Sequence, residues 1–183
     1  ACDNGHLEVV KILLADERVD PAEGNNCALQ WACEQGHVEV VKALLADGRT
    51  DPTANDNYAL QCASKEGHTQ VVKILIADGR ADPAANNNKA IRSACSYGHL
   101  EVLKILLADV RVDPSCNNNQ CVRRACKRSH LEMVKLLIEH PRVLETFKIT
   151  SIDDYPVEVH HYIQKFCYDP ISAVTKRFQI FAN

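Results

Sequence analysis

Apolar positions along this chain fall in short clusters of helical period, separated by polar segments rich in proline and asparagine. The clusters return at a fixed interval. Residues 32–52 read ACEQGHVEVVKALLADGRTDP, and nearly the same line stands at 1–21 (ACDNGHLEVVKILLADERVDP), at 63–83 (ASKEGHTQVVKILIADGRADP) and at 94–114 (ACSYGHLEVLKILLADVRVDP). The leading alanines Ala1, Ala32, Ala63, Ala94 and Ala125 are 31 residues apart, and the fifth copy, ACKRSHLEMVKLLIEH, decays after its second apolar cluster. Self-similarity at such a period predicts units that cannot bury an apolar face alone and do so by stacking on their neighbours.

Each unit reads as two helices and a turn. Asn26 recurs as Asn57, Asn88 and Asn119, always before a run such as CALQWACEQ. Asparagine is a favoured N-cap, so a first helix of two to three turns is predicted after it. Gly36, Gly67 and Gly98 suit the left-handed position at its end. In the following HVEVVKALLAD, the residues Val38, Val40, Val41, Ala43, Leu44 and Leu45 cover most of a helical wheel and leave a stripe of Glu39 and Lys42. Such a helix is buried on several sides. Glu39 suits the positive end of the helix dipole, whereas Asp47 lies at the wrong end. The motif Asp-x-Arg-x-Asp-Pro recurs at 16–21, 47–52, 78–83 and 109–114. Each arginine is expected to neutralise these aspartates within the loop or across to the next unit. The asparagine-rich stretch that follows supplies residues that tolerate positive φ, as a tight turn requires.

In these residues the chain resembles the ankyrin repeat family. The likeness is carried by A-C-x-x-G-H-[LV]-E-V-[VL]-K-x-L-L, above all at Gly36–Leu45 and Gly98–Leu107, and spans about residues 1–142. It implies an all-α solenoid of stacked helix-turn-helix repeats with short turns. Two departures stand out. The period is 31 residues, against the family's usual 33, which places the shortfall in the turn. The family's T-P-L-H is replaced by CALQ, YALQ, KAIR and QCVR, so the asparagine cap is expected to take over its role.

The expected organisation is repeats over 1–142 (a partial 1–25, then 26–56, 57–87, 88–118 and 119–142) and an atypical helical C-terminal cap over 143–183. Ser129 stands where glycine belongs, so that inter-helix turn is expected to be looser or differently shaped. Seven of the ten aromatic residues follow Arg142, where PVEVHHYIQKFCY and ISAVTKRFQIF read as two cap helices. At the other end the first helix is missing, which is expected to leave Leu7 and Val10 short of packing. The only methionine is Met133; the chain is expected to be a fragment, with further repeats ahead of it.

Composition changes this picture little. Hydrophobic content of 46% with 5% aromatics suits a Leu/Val/Ile/Ala stack, and a net charge of −3 points to neither nucleic acid nor a membrane surface. No apolar run approaches the roughly 20 residues of a membrane span, and no secretory leader is evident. The nine cysteines read as reduced thiols of an intracellular, cytoplasmic protein. Cys2, Cys33, Cys95 and Cys126 share one repeat slot with Ser64, so the slot selects a small side chain. Cys-x-x-x-His recurs at Cys2/His6, Cys33/His37, Cys95/His99 and Cys126/His130. A zinc site needs three or four ligands about one point. Each unit offers two, and neighbouring helices stand roughly 8–10 Å apart. These columns are therefore read as structural. His160–His161 and the cysteines 116, 121 and 126 match no ligand spacing either. With no phosphate loop, H-E-x-x-H or G-x-S-x-G, no enzyme activity and no cofactor are expected.

What varies between copies is the surface of the first helices. The resemblance implies that this surface lines a concave face gripping a partner protein or peptide. The candidate positions are Trp31, Glu34, Gln35, Tyr58, Lys65, Lys89, Arg92, Tyr97, Arg124, Lys127 and Arg128. Trp31, Tyr58 and Tyr97 lead, because exposed aromatics are enriched in binding hot spots. Charge along these helices runs from Asp3 and Glu34 to Arg123, Arg124, Lys127 and Arg128. That grading suggests an acidic partner segment near the C-terminal repeats. The alternative is a structural spacer of a longer repeat protein with no partner on this stretch.

Overall fold

The computed structural model describes residues 1–146 together with Val157 and His160. The chain divides into two compact units, Ala1–Asp113 and Pro114–Asn183. Among the described residues, the regular elements are all helices.

In the first unit these are α1 (Leu7–Leu14), α2 (Glu23–Glu34), α3 (Val38–Asp47), α4 (Ala54–Glu66), α5 (Thr69–Asp78), α6 (Ala85–Tyr97) and α7 (Leu100–Leu107). The first helices of successive repeats lie side by side, α2 on α4 and α4 on α6. The second helices form a parallel row, α1 on α3, α3 on α5 and α5 on α7, and each first helix also packs on its own second helix. The core follows from the repeat pattern. Leu29, Leu60 and Ile91 from the first helices meet Val41, Leu44, Val72, Leu75, Leu103 and Leu106 from the second, all fully buried. Ala32, Ala63 and Ala94 are also fully buried and let the helices approach closely. Beside them, Cys33, Ser64 and Cys95 fill the small-residue slot without exposure.

The polar stripe of the second helices is made of ion pairs: Glu8–Lys11 at 2.8 Å, Glu39–Lys42 at 2.8 Å and Glu101–Lys104 at 2.7 Å. Helix length follows one residue. Where Gly48 and Gly79 take φ of +81°, α3 and α5 run on to the aspartate; where Glu17 and Val110 stand instead, α1 and α7 stop at the leucine. The first repeat departs from expectation. Val10 is buried, and the side chains left open on α1 are Val9, Ile12 and Leu13.

The turn before each first helix holds the main surprise. Gly24, Asn25 and Asn26 all adopt left-handed backbone, as do Asn55–Asn57 and Asn86–Asn88. Such a conformation costs an ordinary L-residue roughly 1–2 kcal/mol, and asparagine tolerates it best among non-glycines. Three in succession explain the asparagine-rich composition. The predicted N-cap is not there: none of these side chains caps its own helix. The buried amides reach forward instead. Asn26 Oδ1 accepts from the Asp51 N–H at 2.6 Å, Asn57 from Asp82 at 2.7 Å and Asn88 from Asp113 at 2.7 Å. The carbonyls of the turn are met by long side chains five or six residues on: Gln30 donates to Asn25 O at 2.6 Å, Gln61 to Asp56 O at 2.6 Å, and Arg92 to Asn86 O at 3.4 Å.

Two further contacts run backward. Arg49 forks onto Asp47 at 2.7 and 2.8 Å and also donates to Val19 O at 2.9 Å and Leu14 O at 2.8 Å. Arg80 repeats this with Asp78, Thr50 O and Leu45 O, and Arg111 with Asp109 and Ala81 O. The expected neutralisation within the loop is present, but the second aspartate serves differently. Asp51 Oδ1 accepts from the Thr53 N–H at 2.8 Å and Asp82 Oδ1 from the Ala84 N–H at 3.0 Å, shaping the turn itself. The histidines form the other backward row. Nε2 of His37, His68 and His99 lies 2.8, 2.8 and 2.7 Å from the carbonyls of Asp3, Glu34 and Lys65. A carbonyl only accepts, so Nε2 carries the proton. Each ring also rests on the preceding repeat's glycine: a Cβ added at Gly36 would lie 2.6 Å from His68 Nδ1.

The second unit contains α8 (Cys116–Lys127), α9 (Leu131–Ile138) and α10 (Pro141–Thr146) around a core of Cys121, Val122, Met133, Val134, Leu137 and Val143. Asn117–Asn119 repeat the left-handed turn. Ser129 keeps the glycine conformation at φ 55°, and the His130 N–H still bonds Ala125 O at 3.0 Å, the distance between His99 and Ala94. The turn keeps that closing bond but is differently shaped, as expected: α8 ends one residue earlier than α6, Arg128 leaves the helical region at φ −107°, and the Ser129 N–H bonds Cys126 O where the Gly98 N–H bonds Ala94 O. Asn119 donates to Thr146 Oγ1 at 3.1 Å, so here the asparagine amide reaches a threonine hydroxyl rather than an aspartate N–H. The two helices expected after residue 154 lie outside the described residues, apart from Val157 and His160.

Two outcomes follow. Gly79 has nothing within 4 Å of an added Cβ, so Gly79→Ala meets backbone strain alone, about 1 kcal/mol. Gly36→Ala adds the collision with His68 and should lower the melting temperature at least twice as far in a thermal scan. For Arg80→Met, the loss is about 1–2 kcal/mol after discounting for exposure, read as a drop of several degrees at neutral pH. The Arg80 guanidinium holds the Asp78 carboxyl below its usual range. That stability is present above the unfolded carboxylate value near 3.9 and is lost as pH falls through the lower folded value. The gap between wild type and variant should therefore narrow only below about pH 4, leaving the share owed to the Thr50 and Leu45 carbonyls.

Candidate partner-binding face

With the second helices spent on stacking, the side chains that differ between repeats emerge from the first helices. In the first unit Trp31 on α2, Tyr58 on α4 and Tyr97 on α6 are 52%, 44% and 52% exposed. Their repeat columns hold unlike neighbours. Cys62 and Ser93, which share the Trp31 column, are only 4% and 5% exposed. That column is thus open at Trp31 and closed in the next two repeats of the first unit. Over Cys62 the cover includes Tyr58, whose phenol hydrogen-bonds the thiol and is raised by it, while burial pushes the Cys62 thiol up.

The charged candidates are held in distinct ways. Lys65 pairs with Glu66 at 2.7 Å and places its ammonium 5.9 Å from the centre of the Tyr97 ring. The hydrogen bond with Lys65 holds the Glu66 carboxyl below its usual range and raises Lys65. Tyr97 stacks on His99, with ring centres 6.4 Å apart and planes 8° from parallel. Glu34 and Lys89 are half-buried and Gln35 is exposed. Arg92 is half-buried, and its guanidinium is engaged with the Asn86 carbonyl. In the second unit Arg124 is half-buried, Lys127 and Arg128 are exposed, and Arg123 donates to Asn117 O at 2.9 Å. Gln30, Gln61, Arg92 and Arg123 therefore form one turn-closing column. The signal was in the chain, since that column always carries a long hydrogen-bond donor, but its target was hidden by the turn's left-handed path.

The cysteine and histidine columns do not converge. Cys33, Cys62, Cys95, Cys116, Cys121 and Cys126 are buried, and the imidazoles of His37, His68 and His99 are taken up by carbonyls. Among the described residues, no three histidine, cysteine or acidic side chains are placed to share a metal ion. No described helix is long and apolar enough to cross a membrane.

Paired helices at a 31-residue period, stacked through their second helices and varied on their first, define a helical repeat protein. The family model for ankyrin repeats (three copies) matches residues 1–56 and 48–118, well over half of the chain, and the chain belongs to the ankyrin repeat family. No curated protein matches the chain. Ankyrin repeats are in general protein–protein interaction modules and are typically non-catalytic.

Burial, with a smaller contribution from neighbouring Cys62, pushes the Cys33 thiol well above its ordinary value. A thiolate-directed reagent such as DTNB should therefore label Cys33 only at the rate of unfolding, while Cys2 and Cys27, both partly exposed, react in the native protein. Peptide mapping after short labelling reads the difference.

Proposed function

We propose that this chain is a non-catalytic interaction module that binds a partner protein or peptide across its first helices. In the first unit the binding residues are Trp31, Glu34, Gln35, Tyr58, Lys65, Lys89, Arg92 and Tyr97. In the second they are Arg124, Lys127 and Arg128, where a short acidic segment is the favoured partner chemistry. The observation that carries this reading is the exposure of three aromatic side chains, each about half accessible, on first helices whose other large apolar residues are buried. Large exposed rings are costly to leave in water and are enriched where partners dock. Two cations on one helix end add attraction for an acidic chain and speed its encounter. Buried thiols such as those of Cys33 and Cys95 suit a reducing, intracellular setting.

Capture from a cell extract, with partners identified by mass spectrometry, tests the reading. Partners retained by the wild-type chain should fall at least ten-fold for the triple variant Trp31→Ala, Tyr58→Ala, Tyr97→Ala, with helical circular dichroism and cooperative unfolding retained. For acidic partners the same loss is expected from Arg124→Glu with Lys127→Glu. Equal capture by all three chains would leave a spacer role as the better account.

A further inference from the structure

In the first unit each second helix spends one side on the repeat before it, and on α1 that side is open. Val9 and Leu13 are 48% and 42% exposed, and Ile12 is more open still. At spacings of three and four residues the three side chains share one helix face. Their counterparts in the next three repeats, Val40, Val71 and Val102 with Leu44, Leu75 and Leu106, are at most 1% exposed. There the second helix of the preceding repeat lies alongside, α1 on α3, α3 on α5 and α5 on α7. The same residue types in the same register are dry under a neighbouring helix and wet on α1.

The polar contacts that accompany this packing are open in the same repeat. Arg49, Arg80 and Arg111 each fork onto an aspartate and also donate to carbonyls of the repeat before. Arg18 forks onto Asp16 in the same way, yet among the described residues its guanidinium reaches no backbone carbonyl, and its side chain is almost wholly exposed. His37, His68 and His99 each donate to a carbonyl 34 residues back. The exposed ring of His6 makes no hydrogen bond among the described residues. The first repeat thus carries the full set of groups with which three other repeats grip a neighbour, and none of the set is engaged across the stack.

An aliphatic strip alone would accept a lipid, an unstructured peptide or a second copy of the chain. The arginine and the histidine narrow the choice, because they require carbonyls at set places beside an aliphatic helix. A second copy stacked head to tail would have to offer the bare side of α8 and α9, where α10 already packs. We infer that the α1 edge is a stacking surface for one more repeat of the same build, carried ahead of residue 1 in the same polypeptide. Its second helix lies along Val9, Ile12 and Leu13, and its backbone carbonyls receive Arg18 and His6. By the spacing within the chain, those carbonyls stand 30 and 35 residues before the arginine and 34 before the histidine. Covering the three aliphatic side chains removes apolar surface from water, and the hydrogen bonds fix how the covering helix sits. This edge is distinct from the first-helix face, and the inference stands or falls without the binding reading.

One of the chain's own blocks supplies the probe. Residues 32–62, joined directly before Ala1 of the full chain, keep the 31-residue spacing across the junction. The extended chain should melt about 5 °C or more above the present one. Leu13→Ser and Arg18→Met, made separately, should each lower the melting temperature roughly twice as far in the extended chain as in the present one, because only there is the leucine covered and a carbonyl within reach of the arginine. A second extension, with residues 63–93 in place of 32–62, should behave alike and guards against a faulty junction. Failure of both extensions to raise the melting temperature overturns the inference. So does a rise that leaves the two substitutions equally costly in both chains. Dimerisation of the present chain in analytical ultracentrifugation, abolished by Leu13→Ser, also overturns it by giving the edge to a second copy.

Discussion

A chain that passes through three left-handed residues at every turn depends on something to hold them there. In the first unit that something is a buried asparagine amide whose oxygen accepts a backbone N–H from the following repeat. A buried N–H without a partner costs on the order of 1–3 kcal/mol, so the bond serves both sides. It fixes the strained turn of one repeat and satisfies the loop of the next. The arginine and histidine contacts run the other way, onto carbonyls of the repeat before. Apolar stacking provides the driving force, but it is indifferent to small sliding motions. These directional bonds set the register in which the leucines and valines interlock.

Rigidity of that kind has a functional side. Because the second helices, the turns and the small-residue slots are all occupied with holding neighbours, variation is confined to a few positions on the first helices. On the proposed reading, a partner would meet side chains at those positions that are already held by contacts within the repeats. Tyr58 and Tyr97 show this locally, the first tied to Cys62 and the second stacked on His99. Less freedom is lost when such rings are covered, which favours binding.

Much of this was legible in the chain itself. The period, the helix pairs, the small-residue column and the arginine–aspartate pairing all follow from contacts a few residues apart or from repetition. The asparagines were recognisable as turn residues, yet their amides were misassigned to their own helices. Their actual partner lies 25 residues away in sequence, and no local rule points there. Likewise Arg92 and Arg123 looked like free surface cations until the turn brought the Asn86 and Asn117 carbonyls within reach. Cys62 shares a repeat column with the exposed Trp31 yet is buried, because the tyrosine that covers it sits one helical turn away. Propensity and periodicity describe one repeat well. What repeats do for each other has to be seen in three dimensions.

The left-handed asparagine turn also bears on how such an array can change in length. Every linking bond connects a residue to one at a set distance along the chain, 25 positions forward for the amides and 34 back for the imidazoles. Adding or removing a single residue shifts the register of whichever of these bonds span it. Copying or excising a whole 31-residue block restores every one of them at the new junction. Growth and shrinkage by whole-block recombination are thus the tolerated edits, and the near-identity of the surviving copies fits a chain built in that way.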